Sequence, residues 1–193
     1  MSKEKTSNQI KAIILTADRF EDMELFFPYF RLIEEGIEVD IAAPKKGKIH
    51  GESGSYELDI NKSFNEINPD DYDILILPGG APDGAPTTVR RNAKARSIAI
   101  AFFAANKPVA AICHGPYTLI SADLLKGKRV TGYWGDGVPD EITQAGAHYE
   151  DKDVVVDGNL ITSRYPMDLP VFMREVMKVV KRVRESKYSS KKE

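Results

Sequence analysis

The chain has 193 residues, a formal net charge of −2 and 42% hydrophobic residues, as a single globular domain does, and nothing in that balance argues for nucleic acid or a membrane surface as a partner. One cysteine excludes an intramolecular disulfide framework and a multi-cysteine zinc site. No apolar run approaches the roughly 18 residues of a membrane span, and residues 1–8 hold no apolar signal core, so the expected setting is the cytoplasm, where a free thiol stays reduced.

Residues 11–17 form a nearly continuous apolar run and predict a fully buried first strand. Asp18 is placed to cap a helix that carries Phe20, Met23, Glu24, Phe27, Phe30 and Ile33 and stops at Gly36. Pro28 inside that helix predicts a kink or a second start. Residues 37–43 read as the second strand, closed by Pro44, and residues 45–61 as an excursion with a small hairpin. Residues 72–77 predict a third buried strand that ends abruptly at Pro78-Gly79-Gly80. A loop over 81–87 and a helix over 89–105 follow.

Residues 109–112 predict a fourth strand and 116–125 its helix. Residues 129–133 read as a strand entering the loop Trp134-Gly135-Asp136-Gly137, with a short helix over 140–145 beyond it. Residues 153–163 predict a hairpin turning at Asp157-Gly158-Asn159, and 168–184 a last helix. One domain, 11–184, is expected between flexible ends at 1–10 and 185–193. Apolar strands alternating with helices predict an α/β fold with a mostly parallel sheet covered on both faces. Ligands in such folds bind at the carboxyl ends of the strands, where residues 16–24, Gly79-Gly80 and Cys113-His114-Gly115 would meet.

Cys113 stands where the fourth strand gives way to a helix. A lone cysteine is usually a small buried hydrophobe. The context of this one, strand then His114-Gly115-Pro116, is that of a nucleophile elbow, in which a sharp turn exposes the reactive atom. A helix N-terminus at that point is expected to lower the thiol pKa below its free value of about 8.5. Glu21 and Glu24 lie three apart on one helical face, either as ordinary first-turn acids or looking toward the cysteine. An ionised carboxylate there would repel a thiolate, so such a pairing requires a neutral carboxylic acid that donates a hydrogen bond to sulfur and shuttles a proton. His50 and His148 read as isolated surface residues, no metal site or cofactor is expected, and Arg164 reads as structural, paired with Asp168.

Ala111-Ile112-Cys113-His114-Gly115-Pro116 resembles the nucleophile motif of the ThiJ/PfpI superfamily, on its PfpI intracellular-protease branch. The resemblance covers about residues 11–182 and includes Phe20-Glu21-Asp22-Met23-Glu24-Leu25, Leu77-Pro78-Gly79-Gly80, residues 154–159 and residues 163–169. It implies a flavodoxin-like three-layer sandwich, and a homodimer or hexamer with the site near a subunit interface. It further implies Glu24 against the nucleophile, an oxyanion hole from the Gly80 and His114 amides, and Tyr133 as a pocket wall beside Glu21. It also pairs His114 with the cysteine, oriented by an acid of a neighbouring subunit. The family acid follows Ala-Pro; here Ala85-Pro86 precedes Thr87, while Ala81-Pro82 precedes Asp83, which reads as a substitute for that acid or as part of a Pro82-Asp83-Gly84 turn.

The expected function is that of a cofactor-independent cysteine hydrolase acting on carbonyl groups: a small aldehyde, a glycated protein or a peptide. The family label is protease; glyoxalase III or deglycase chemistry suits a site without a strong triad better. The alternative is a redox-sensing stress protein or chaperone that uses an oxidisable Cys113. A working glutaminase lacks the His and Glu that class carries near residues 163–168.

Overall fold

β1 (Lys11–Leu15) runs through a seven-stranded sheet and is buried on both faces, as its apolar run predicts. The computed structural model describes residues 9–189. α1 (Asp22–Glu34) follows, then β2 (Glu38–Ala43), a hairpin of β3 (Gly47–His50) and β4 (Glu57–Ile60), and the short β5 (Lys62–Ser63). Next come β6 (Ile74–Leu77), α2 (Ala85–Arg91), α3 (Ala93–Ala104), β7 (Val109–Ile112) and α4 (Pro116–Ser121). The chain continues through β8 (Arg129–Val130), α5 (Val138–Gln144), β9 (His148–Tyr149), β10 (Val154–Asp157), β11 (Leu160–Ser163) and α6 (Leu169–Ser189).

The sheet order is β10-β11-β7-β6-β1-β2-β5, parallel throughout except for β10 against β11. α1 packs with α6, and α2, α3 and α4 pack with one another, so the architecture is the expected flavodoxin-like sandwich. The chain leaves β1 toward β2 and then crosses to the other side of β1 to place β6. That reversal opens a crevice at the carboxyl ends of β1 and β6, the position where ligands bind in open parallel sheets. The turns after β1, β6 and β7 therefore converge there. Among the described residues, no helix is long and apolar enough to cross a membrane.

Several elements differ from their sequence reading. Asp18 does not cap α1; its carboxylate accepts the His50 N–H at 2.7 Å, and Glu21 is the cap, accepting the Glu24 N–H at 2.6 Å. Pro28 sits inside a helix that runs on unbroken in assignment, with Pro28 itself buried. The expected helix over 89–105 is two helices, because the Asn92 side-chain Oδ1 accepts from the Lys94 and Ala95 amides and starts a new one. α2 also begins earlier, with Pro86 in its first turn. α4 is shorter than expected because Asp123 takes φ 56°. Only Arg129–Val130 of the expected strand 129–133 pairs, with β9; beyond it the Thr131 amide turns to Thr162 and the Tyr133 amide to the Cys113 carbonyl. α6 continues past Arg184 to Ser189, while residues 1–8 and 190–193 of the expected flexible ends lie outside the described residues.

Arg164 is tied as the sequence suggested. Its Nε donates to Asp168 at 2.8 Å and its Nη1 to Asp151 at 2.8 Å, joining the end of β11 to the start of α6. Asp168 is buried, so Asp168→Ala is expected to cost about 1–3 kcal/mol, the value of a charged hydrogen bond lost with its partner left in place. Thermal or denaturant unfolding measures it.

Candidate active site

The backbone turns sharply as soon as β7 ends. Cys113 takes φ 61°, a left-handed conformation that costs a residue with a side chain roughly 1–3 kcal/mol. Three hydrogen bonds hold it: Cys113 N–H to Ser163 O at 3.1 Å, Gly115 N–H to Ile112 O at 2.7 Å, and Tyr133 N–H to Cys113 O at 3.0 Å. The elbow read from the sequence is thus a strained turn clamped by β11 and by the segment after β8.

Glu24 is brought to the sulfur from the first turn of α1. It is wholly buried, and its Oε2 accepts the Gly79 N–H at 2.7 Å. The carboxyl and the thiol interact across Gly79, and Oε1 has no other partner. Only glycine serves at position 79, since a Cβ there would lie 2.6 Å from Glu24 Oε2 and 2.7 Å from Cys113 Cβ. Burial pushes the Glu24 carboxyl well above its ordinary range; the charge of Glu21 adds to this, and the Gly79 amide opposes it.

Burial also pushes the Cys113 thiol up, an ionised Glu24 would push it further, and the His114 amide pulls the other way. This corrects the expectation of a thiol lowered by its helix: α4 has only six residues, and desolvation outweighs it. The two raised groups behave as one coupled acid pair in which full ionisation is disfavoured, so the loss of a proton from one holds the proton on the other. With that proton on Glu24, the sulfur is a thiolate beside a neutral donor, and the repulsion vanishes.

Adjacent side chains usually diverge, yet the Cys113 turn brings His114 Nδ1 within 3.2 Å of Sγ. The other ring nitrogen, Nε2, lies 3.2 Å from Asp136 Oδ2. Tyr133 and Tyr117 flank the imidazole with ring centroids at 5.1 and 5.4 Å. Burial lowers the His114 pKa, opposed by Asp136, so the ring is neutral near pH 7. In the tautomer this network selects, Nε2–H donates to Asp136, and Nδ1 accepts from the thiol whenever the proton is on sulfur rather than on Glu24.

Asp83 does not approach His114 within the chain. It is exposed at the rim and paired with Arg19 at 2.8 Å, while the Thr87 hydroxyl donates to the Pro82 carbonyl at 2.6 Å. The acid against His114 is Asp136, which the sequence reading passed over in its Trp134-Gly135-Asp136-Gly137 loop. Glu21 lines the cavity as well as capping α1, and burial raises its carboxyl. Glu52, also missed, faces the same space, its carboxyl likewise raised by burial.

Gly80 adopts φ 146°, and a Cβ there would meet the Arg19 carbonyl at 2.4 Å. Its flanking residues pair with the segment around Phe20, which leaves the Gly80 N–H without a backbone acceptor among the described residues. The cavity holds about 360 Å³ between Glu21, Glu24, Glu52, Cys113, Tyr133 and Trp134. A separate apolar groove of about 380 Å³ runs along α1 between Met23, Phe27, Phe30, Tyr56 and Met167, and carries no nucleophile.

The chain resembles known proteins over most of its length. Residues 10–179 match the DJ-1/PfpI family. Deglycase PfpI of Pyrococcus furiosus is 49% identical over 172 residues, covering 89% of this chain and 100% of that protein. YraA of Bacillus subtilis, provisionally named a cysteine protease, is 40% identical over 176 residues, covering 89% of this chain and 98% of that one. Among solved structures, a two-domain protein from Anabaena variabilis with DJ-1/ThiJ/PfpI-like and ferritin-like domains aligns with a TM-score of 0.85 and 34% identity. The alignment covers 90% of this chain, which spans about half, 48%, of that one. Over residues 10–179, nearly its whole length, the chain is therefore a member of the DJ-1/PfpI family.

Proposed function

We propose that the protein is a cofactor-independent cysteine enzyme acting on small carbonyl compounds and their early amine adducts, with Cys113 as nucleophile. The observation that carries this is the wholly buried Glu24, otherwise unpartnered at Oε1, set against the sulfur. A neutral acid in that place lends a proton to an oxygen generated next to the thiolate and takes one back. A cavity of about 360 Å³ lies at the small end of ligand pockets, roughly 300–1,000 Å³. It suits a short aldehyde or the end of one modified side chain better than an extended polypeptide. The deglycase name of the relative PfpI supports the same reading.

The steps follow from the single shared proton. The thiolate adds to the aldehyde carbon of a 2-oxoaldehyde; the C–S bond forms, and the carbonyl electron pair moves to oxygen. The Gly80 and His114 amides face that oxygen, and Glu24 protonates it. Glu24, now a carboxylate, takes the C1 hydrogen as a proton and returns it to C2, while the C1 hydroxyl proton passes to the C2 oxygen. The product is a 2-hydroxy thioester on Cys113. Water cleaves its C–S bond, releasing the 2-hydroxy acid and returning the shared proton to Glu24. On an aldehyde–amine adduct, sulfur displaces the amine, which leaves with the Glu24 proton.

A homo-oligomer belongs to this proposal: Met23, Phe27 and Phe30 of α1 are exposed beside Met167 and give a second copy an apolar face to cover. So does a cytoplasmic setting, which keeps the thiol reduced. The oxidation-sensor alternative gains nothing from the cavity, which leads a small molecule to a sulfur in a residue only 7% exposed.

The test uses the single cysteine. Turnover of methylglyoxal and of a denatured protein is measured before and after alkylation by one equivalent of iodoacetamide, with Cys113 modification confirmed by mass. We expect aldehyde turnover to exceed proteolysis and to vanish in proportion to alkylation. Aldehyde turnover that survives full modification would sink the proposal, and proteolysis that alone disappears would move it to peptides.

A further inference from the structure

We infer that Asp136 is the positioning residue for His114 and completes a Cys113–His114–Asp136 relay within one chain. The inference rests on Cys113 being the nucleophile. The relay is continuous: Sγ to Nδ1 is 3.2 Å, and Nε2 to Asp136 Oδ2 is 3.2 Å. A carboxylate at the far nitrogen fixes which nitrogen carries the proton and keeps the near one free to accept from the thiol.

The local chain is built to present this acid. Asp136 takes φ 56° and Gly137 φ 75°, two left-handed residues in succession that turn the loop back over the elbow. Asp tolerates that conformation better than most residues. The turn is closed by Val138 N–H to Gly135 O at 3.1 Å. The Tyr117 hydroxyl donates to the Asp136 carbonyl at 3.2 Å, so the residue that stacks on His114 also clamps its acid. Tyr133 covers the imidazole at 5.1 Å, and its amide holds the Cys113 carbonyl. Ring, acid and nucleophile are thus fixed by one set of contacts. No residue of a second copy is needed for them.

The Asp136 side chain is 48% exposed, so water screens its charge and its role is chiefly orientation. Asp136→Asn keeps the left-handed preference and the shape of the loop while removing the charge. We expect kcat to fall about tenfold to a hundredfold, less than the loss from a fully buried triad acid, with KM changed less than threefold. The titratable groups around His114 are Asp136, Glu141, Cys113, Tyr117 and Tyr133. Asp136 is the main group that holds its pKa up, with Glu141 adding to it, so the variant should titrate His114 at lower pH, read from its imidazole resonances without substrate.

Tyr117→Phe keeps the ring on His114 and frees the acid, and should reproduce a smaller part of the kcat loss. Wild-type activity per subunit should persist when the protein is diluted until it is monomeric. An unchanged kcat and an unmoved His114 titration in Asp136→Asn would overturn the inference, as would activity lost on dissociation and restored by reassociation. A wild type that turns over no aldehyde defeats the proposed substrate, whereas the His114 titration still decides whether Asp136 sets the ring.

Discussion

Glu24→Gln is expected to lower kcat by about 10²–10⁴-fold while leaving Cys113 open to alkylation. Glutamine keeps the shape of the carboxyl. Its carbonyl oxygen can accept the Gly79 N–H where Oε2 does now, at 2.7 Å, and its amide can donate to the sulfur. What it lacks is a proton that can be given up and recovered. Glu24→Ala loses donor and proton together, so its thiol should alkylate more slowly than that of the glutamine variant. Equal turnover in wild type and Glu24→Gln would defeat the shuttle; equal alkylation rates in all three would defeat the donor.

The same substitution should move stability in the opposite direction. Because burial raises the Glu24 pKa, the folded chain holds a proton that the unfolded chain has released once pH passes about 4.3. The contribution of Glu24 is full below that pH and declines as pH rises toward the folded value, by at most about 1.4 kcal/mol per pH unit. Glutamine has nothing to titrate. The variant should therefore match or exceed wild type at pH 8 and lose that advantage at pH 5, as denaturant midpoints would show. An advantage that grew on acidification would mean Glu24 is ionised in the folded protein.

The parts of this site that sequence discloses are those set by backbone and by burial on both faces. The apolar runs of β1, β6 and β7 announce a parallel sheet, and the residues closing them, including Gly79, Gly80 and Cys113, fall at its carboxyl edge for that reason alone. Helical spacing put Glu21 and Glu24 on one face without choosing between them; the choice of Glu24 came from the resemblance of its motif to the family's. Asp136 was reachable by neither: its place beside His114, 22 positions away, depends on how the loop after β8 folds back. Within the chain Asp83 is a turn residue, the second of its two readings. Its turn chemistry was read correctly, but Arg19, itself in a left-handed turn, draws its carboxylate to the rim. The break at Asn92 was visible as a cap residue but lay inside a strong helical stretch. The thiol pKa went wrong because a motif shows the helix amides that lower it and hides the desolvation that raises it.

Gly79→Ala should cost about 10²-fold or more in turnover and about 1–3 kcal/mol in stability. The added Cβ would sit 2.6 Å from Glu24 Oε2, 2.7 Å from Cys113 Cβ and 3.1 Å from Cys113 Sγ. Contacts this short do not persist, so one neighbour must yield. Cys113 is clamped by Ser163 and Tyr133, whereas the Glu24 carboxyl is the free end of a side chain held by the Gly79 amide. The carboxyl moves, its bond to Gly79 stretches, and the proton donor leaves the sulfur. A displacement near 1 Å in a proton-transfer geometry is enough for the loss. The cause can be isolated in a double-mutant cycle. In a Glu24→Ala background the contact with the carboxyl is gone and only that with Cys113 remains, so Gly79→Ala should cost little further activity and less stability than it does alone. Full additivity would place the clash on Cys113 instead, and the seat of the defect would be the elbow rather than the carboxyl–sulfur pair.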